Sequence, residues 1–246
     1  MRETQRSVQT RACNDIQTDN YDDEFLHQRE RAQSELLEVL ERVGSKIARG
    51  PAPSFNEAHV VKALEIIGDY GIVGRINLSN KLELGIGTTR TILKHLKKEG
   101  LIVSSRHGFA FSERGKKLFR NLRSIISGGI EVPNSPLTVG PLVIAVLVRD
   151  LAHKVGRGVE QRNTAIRAGA SGATTLIFSR NKLTMPSKKK HILKGISDIQ
   201  DILVSKLNPK ENDAIIVGSG ENRTNAEIGA IMAALKLLKS ENEIDE

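Results

Sequence analysis

The sequence predicts an α+β protein in two parts, and three observations carry that reading. Helix-period segments and two short β-prone runs fill residues 51–127. Beyond a break bearing Gly and Pro, the order of elements becomes β-α-β-β-α-β-α. Apolar residues make up 39% of the 246-residue chain, enough to bury a core and too many for a disordered protein. That length fits one large domain or two small ones.

Residues 1–23 are polar and patternless and are expected to form a disordered tail. Residues 24–50 read as a helical arm, in which Leu36, Leu40, Val43 and Ile47 make one narrow apolar seam. The seam is under two heptads, too short to stand alone, so it packs on the chain's own domain or on a second copy. Gly50-Pro51-Ala52-Pro53 breaks the helix, and residues 51–127 form the next unit. Asn56 is placed to cap a helix from Glu57 to about Asp69, with Val60, Val61, Leu64 and Ile67 inward and Gly71 at its end. A short helix near Leu78–Leu82 and a Gly85-Ile86-Gly87 turn lead to a third helix, capped by Thr88 and running to Glu99. Its Ile92, Leu93 and Leu96 face a core, and Arg90, Lys94, Lys97 and Lys98 occupy the rest of its circumference. Leu101–Ser104 and Phe109–Phe111 pair as a hairpin through Ser105-Arg106-His107-Gly108, and Ser112 caps a basic helix from Glu113 to about Ile126.

Residues 128–139, with Gly128-Gly129 and Val132-Pro133-Asn134-Ser135-Pro136, read as a linker. The second unit, 140–246, opens on the Val-rich strand Leu142–Val148. A helix over Val159–Ala168 follows, with Ala165 and Ile166 inward, then strands over Thr174–Phe178 and Lys182–Met185. A helix from about Ile192 to Leu207, a strand over Ala214–Val217, a Gly218-Ser219-Gly220 loop and a helix from about Thr224 to Lys239 complete it. The first six elements match the ferredoxin-like order, which predicts a mixed antiparallel sheet covered by helices; a Rossmann-like parallel sheet is the alternative.

The formal charge of +8 is concentrated in two blocks, residues 101–130 with six basic residues against one acidic and 151–200 with ten against two. Local charge density of this kind is what a polyanion-binding surface requires, although a run such as Lys188-Lys189-Lys190 is often only a solvated face. Aromatics are 3% of the chain and Trp is absent, which argues against base-stacking recognition of RNA. The lone Cys13 forms no intrachain disulfide, and Pro141–Val148, the longest apolar run, is too short to span a bilayer. A cytoplasmic protein without membrane contact is the default. The six histidines, His27, His59, His95, His107, His153 and His191, have no metal-ligand spacing, and Ser219 lies outside a nucleophile elbow. Neither a metal, nor another cofactor, nor an enzymatic activity is expected.

Helix, short helix, turn, cationic helix, basic hairpin and helix within about 70 residues is the order of a winged helix-turn-helix. In that geometry Thr88, Thr89, Arg90 and Thr91 are placed to read base edges, with Arg90 a bidentate partner for guanine. Lys94, Lys97 and Lys98 are placed to contact phosphates, and the Arg106-His107 tip to meet a minor groove or the backbone. The stretch Leu78–Ile102, LSNKLELGIGTTRTILKHLKKEGLI, resembles the second and third helices of prokaryotic winged-helix regulators, and Phe111–Leu118, FSERGKKL, is similar to the segment leaving their wing. Gly50–Val60, Gly158–Ala170 and Gly172–Phe178 resemble an archaeal family of winged-helix proteins whose C-terminal domain has no assigned function. The resemblance implies an archaeal transcription regulator and supplies no effector or site residues.

In the second unit, Gly218, Ser219 and Gly220 before a helix start near Asn225 suggest an anion cradle, with Arg162 or Arg167 as counter-charge. A plain strand-to-helix turn explains the same glycines, and Glu160, Gln161, Arg162 and Arg167 read equally as ordinary helix-start and surface residues. The partners expected are double-stranded DNA and a second copy of the chain, paired through the seam or the C-terminal unit, with room for a small anionic effector. Two alternatives stand beside a DNA-binding regulator: a protein–protein module of the transcription or replication machinery, and a phosphometabolite enzyme fused to a DNA-binding domain.

Overall fold

The computed structural model describes residues 27–44, 54–136, 138–186 and 197–240. The expected tail over 1–23, Ile47 of the seam, the Gly50–Pro53 break and Lys188–Lys190 lie outside them. The first described element is helix α1, over residues 27–44, followed by α2 (Glu57–Tyr70), α3 (Arg75–Leu82) and α4 (Ile86–Lys98). Strands β1 (Ile102–Ser105) and β2 (Gly108–Phe111) form a two-stranded antiparallel hairpin, and α5 (Glu113–Ile125) leads without a break into β3 (Ile126–Glu131). Then come β4 (Leu142–Val148), a single 3₁₀ turn at Ala152–Lys154, α6 (Val159–Arg167), β5 (Gly172–Ser179), β6 (Lys182–Thr184), α7 (Ser197–Leu207), β7 (Ala214–Gly220) and α8 (Arg223–Lys239).

Local chemistry sets two helix starts as the sequence predicts. Asn56 caps α2: its Oδ1 accepts from His59 N at 3.3 Å, and its own N–H donates back to His59 Nδ1 at 3.2 Å. Ser112 caps α5 by accepting from Gly115 N at 3.0 Å. Gly115 is required there, because a Cβ would stand 1.9 Å from the Leu101 carbonyl oxygen. Helix α4 differs from expectation. It is capped at Gly85 rather than Thr88, and Thr89, one turn in, returns its hydroxyl to the Gly85 carbonyl at 3.2 Å.

The large sheet has the order β3-β4-β7-β5-β6, and every pairing in it is antiparallel. This satisfies the antiparallel expectation and removes the Rossmann-like alternative. The strand order departs from the ferredoxin-like one. There the third strand of the series separates the two parallel strands of the split β-α-β unit, whereas here the last strand, β7, lies between β4 and β5. β7 also runs three residues farther than predicted: Gly218, Ser219 and Gly220 are strand residues, paired to Ile144, Val143 and Leu142 of β4. The expected linker is shorter than 128–139, because Gly128 and Gly129 lie in β3, at a register shift against β4.

Both faces of the sheet are covered, so β4 reads as an unbroken apolar run with its alternate residues facing opposite ways. Ile144, Val146 and Val148 join a cluster with Ala165 of α6 and Ile228, Ile231 and Leu235 of α8. Val143, Ala145 and Leu147 join Ile199, Leu203 and Leu207 of α7 on the other face. Ala165 is inward as predicted, but Ile166 is 43% exposed, since the buried stripe of α6 runs through Gln161 and Ala165.

Helix α8 is apolar around nearly its whole circumference because it is covered on two sides. One side packs on the sheet, and the other receives α2. The first cluster is therefore continuous from Leu36 and Leu40 of α1 through Leu64, Leu96 and Leu122 into the sheet. The two units share one core. Polar contacts reinforce the junction: Lys62 pairs with Glu227, and Lys239 meets Glu57 at 2.9 Å. The seam residues Leu36, Leu40 and Val43 are fully buried inside the chain, and His95 of α4 bonds the Val43 carbonyl at 2.7 Å, so α1 offers that face to no second copy.

Candidate nucleic-acid interface

Helix α4 places the candidate residues. Its buried stripe of Thr89, Ile92, Leu93, His95 and Leu96 anchors it against the core, with the His95 ring edge-on to Phe55 at 6.0 Å. At 3.6 residues per turn the opposite stripe is then Arg90, Lys94, Lys97 and Lys98, and all four are exposed. Arg90, Lys94 and Lys98 make no ion pair among the described residues. The acid next along the helix, Glu99, is occupied by Arg42 of α1 at 3.3 Å.

The hairpin extends this surface. Ser105 and Gly108 are register partners, so Arg106 and His107 form a two-residue turn, and both are exposed. The Ser105 hydroxyl donates to the Gly108 carbonyl at 3.1 Å and accepts from His107 N at 3.2 Å, which pins the turn. Lys97 Nζ donates to Ser104 Oγ at 3.0 Å, tying the helix stripe to β1. The hairpin is also held to the helical part by Val73, which exchanges backbone bonds with Phe109 at 3.0 and 2.9 Å.

Of the four residues placed to read bases, the structure leaves one fully available. Thr89 is buried, a correction that follows from the helix starting at Ile86 instead of after Thr88. Thr88 is half-buried with its hydroxyl against Ser54 Oγ at 2.8 Å, and Thr91 donates to the Gly87 carbonyl at 3.2 Å. Arg90 alone is exposed and without an ion pair or hydrogen bond among the described residues. Ser54 and Ser104, which position Thr88 and Lys97, were absent from the sequence reading; isolated serines in loops and strands carry no pattern that would reveal them.

The second predicted site does not assemble. An anion cradle needs unpaired backbone N–H groups, but Gly218, Ser219 and Gly220 are buried between β4 and β5. Their glycines serve packing: a Cβ on Gly218 would lie 2.5 Å from Ala226 O, and one on Gly220 would lie 2.7 Å from Ala226 N. Asn225 is in the first turn of α8, where its N–H is already taken by the cap residue Asn222 at 2.8 Å. Arg162 and Arg167 are exposed on α6, and no contact joins either to the three residues.

A half-open cavity of about 570 Å³ lies elsewhere in this unit, at the start of α6, between Lys154, Arg157, Gly158, Ile177 and Pro186. The run Lys154-Val155-Gly156-Arg157-Gly158 was the signal available for it: basic residues and glycines immediately before a helix. Among the described residues no group of His, Cys, Asp and Glu is arranged to hold a metal ion, and no helix is long and apolar enough to cross a membrane.

Residues 139–237 match the model of a domain of unknown function, DUF4443, and residues 71–117 match the model of the PH0730-like N-terminal domain. No curated protein matches the chain. A solved structure, the hypothetical protein PH0730 from Pyrococcus horikoshii OT3, is similar at 27% identity and a TM-score of 0.59, and the match covers 76% of this chain and 95% of that one. Over about three quarters of its length the chain is thus similar to a hypothetical archaeal protein, with separate family models matching its helix-and-hairpin part and its sheet part.

Proposed function

We propose that residues 54–125 form a winged helix-turn-helix that binds duplex DNA, and that the protein is an archaeal transcription regulator whose sheet unit senses a small anionic molecule. The observation that carries the reading is the placement of Arg90 and Lys94. Lys97 and Lys98 lie in the last turn of α4, where cations complement the helix dipole, so they have a structural reason to be there. Arg90 lies in the N-terminal half of α4 and Lys94 lies outside its last turn; both are exposed and without an acidic partner among the described residues, so neither charge has the structural reason that Lys97 and Lys98 have. An external polyanion accounts for them.

In this reading α4 enters the major groove with Arg90 at a base edge, the three lysines meet phosphates, and the Arg106-His107 turn contacts the flanking backbone. Pairing two such heads on a longer site requires a surface other than α1, whose apolar face is consumed within the chain. Fluorescence anisotropy with random and selected duplexes tests the proposal. Arg90→Ala is expected to lose about 1–3 kcal/mol of preference for the selected sequence, while Lys97→Ala weakens binding to all duplexes and lowers the salt slope by about one ion. Unchanged affinity and salt dependence in both variants would refute it.

A further inference from the structure

Helix α6 starts at Gly158, which sits at φ +74° and supplies no capping side chain. The first-turn N–H groups of Val159, Glu160 and Gln161 therefore point out of the helix end without a side-chain acceptor. Facing that end is Thr175 of β5, which is 4% exposed. Its Oγ1 is buried and has no hydrogen-bond partner among the described residues, the one such side-chain atom found there. A buried hydroxyl left unpaired costs folding free energy, so a partner from outside the chain is the economical reason for it. Gly158 needs glycine for its φ of +74°, and a Cβ there would stand in ordinary contact with Thr175, 3.7 Å from its hydroxyl, which places that hydroxyl beside the helix end.

The charges around this gap favour an anion. Lys154 and Arg157 line the cavity and make no ion pair among the described residues. Glu160 also lines the cavity, and its carboxylate is paired with Lys236 of α8 at 2.9 Å, which offsets its charge. Ile177 and Pro186 give the cavity apolar wall, and its volume of about 570 Å³ is within the range of small-molecule sites.

We propose that the start of α6 binds a phosphate group: the α6 N–H groups and the Thr175 hydroxyl donate to its oxygens, and Lys154 and Arg157 balance its charge. The site deepens the sensing half of the function proposed above and is independent of DNA binding by α4. Because a phosphate could arrive free or on a small metabolite, the test carries both sources.

The full chain is titrated with inorganic phosphate by differential scanning fluorimetry and calorimetry, against chloride at equal ionic strength, and then with AMP. The expected result is a saturable rise in melting temperature with phosphate. Arg157→Gln and Thr175→Val should each weaken it about tenfold or more. Lys97→Gln, on the distant α4 stripe, should respond as wild type. AMP binding tighter than phosphate identifies an organic phosphate as the ligand, and equal or weaker binding identifies free phosphate. Both substitutions are compatible with folding, since one is on an exposed side chain and the other removes an unpartnered hydroxyl; the ligand-free melting temperature verifies this. No saturable shift with either probe would overturn the proposal. So would equal shifts in wild type, Arg157→Gln and Thr175→Val, or loss of the shift in Lys97→Gln alone. DNA binding is read in a separate assay, so its failure leaves this result standing, and the reverse holds too.

Discussion

Glu65 lies where α2, α5 and α8 meet, and its replacement by Gln should make the protein more stable at neutral pH. Its side chain is 16% exposed, and Arg123, 3.5 Å away, is 43% exposed and largely solvated. Burial comes first in raising the Glu65 carboxyl from its ordinary 4.5 to about 7, and the nearby charge of Glu227 adds to it; Arg123 pulls the other way and is outweighed. A raised folded-state value means that the native protein holds a proton that the unfolded chain releases. The contribution of the protonated side chain is therefore intact below about pH 4.5 and is lost as pH rises through about 7. Over that window stability falls by about 1.4 kcal/mol per pH unit on account of this one group, or about 3 kcal/mol in all. Glu65→Gln cannot titrate. It should match wild type near pH 4.5 and exceed it by about 2–3 kcal/mol at pH 8, after allowing up to about 1 kcal/mol for the lost contact with Arg123. Urea denaturation of both proteins from pH 4.5 to 8 measures this, and the difference between them cancels other titrating groups such as His59, whose burial lowers its pKa. Parallel stability profiles, or a wild type that gains on the variant as pH rises, would refute the reasoning.

Two further outcomes follow from the packing. Leu40→Ala removes a fully buried side chain from the shared core and should cost about 2–5 kcal/mol in urea denaturation, with no change of mass by light scattering where the protein remains folded; dissociation of an oligomer would restore α1 as an intermolecular seam. Gly220→Val forces a side chain to within 2.7 Å of Ala226 N and should lower stability by about 1–3 kcal/mol or more, with a lower melting temperature as the readout; a neutral result would mean that α8 can move away from β7.

What the sequence determined by itself was local. The caps at Asn56 and Ser112, the two-residue turn at Arg106-His107 and the α4 stripe of Arg90, Lys94, Lys97 and Lys98 each depend on residues a few positions apart. Hydrogen bonds and helical periodicity act over that distance, so spacing along the chain suffices to read them. The tertiary structure decided everything that depended on what lies across a gap. Gly218-Ser219-Gly220 looks like a loop in one dimension, and only the approach of Ala226 and pairing with β4 and β5 make it a strand. The same limit hid the burial of Thr89, which depended on one turn's difference in where α4 begins. Leu36, Leu40 and Val43 form a seam suited equally to an internal or an external neighbour, and the core behind α2 and α4 made it internal. The unpaired Thr175 hydroxyl facing the start of α6 joins residues 17 positions apart through a fold whose strand order no local pattern encodes. Sheet order is set by which faces can be buried together, a property of the whole chain, and the cavity at Gly158 exists because of it.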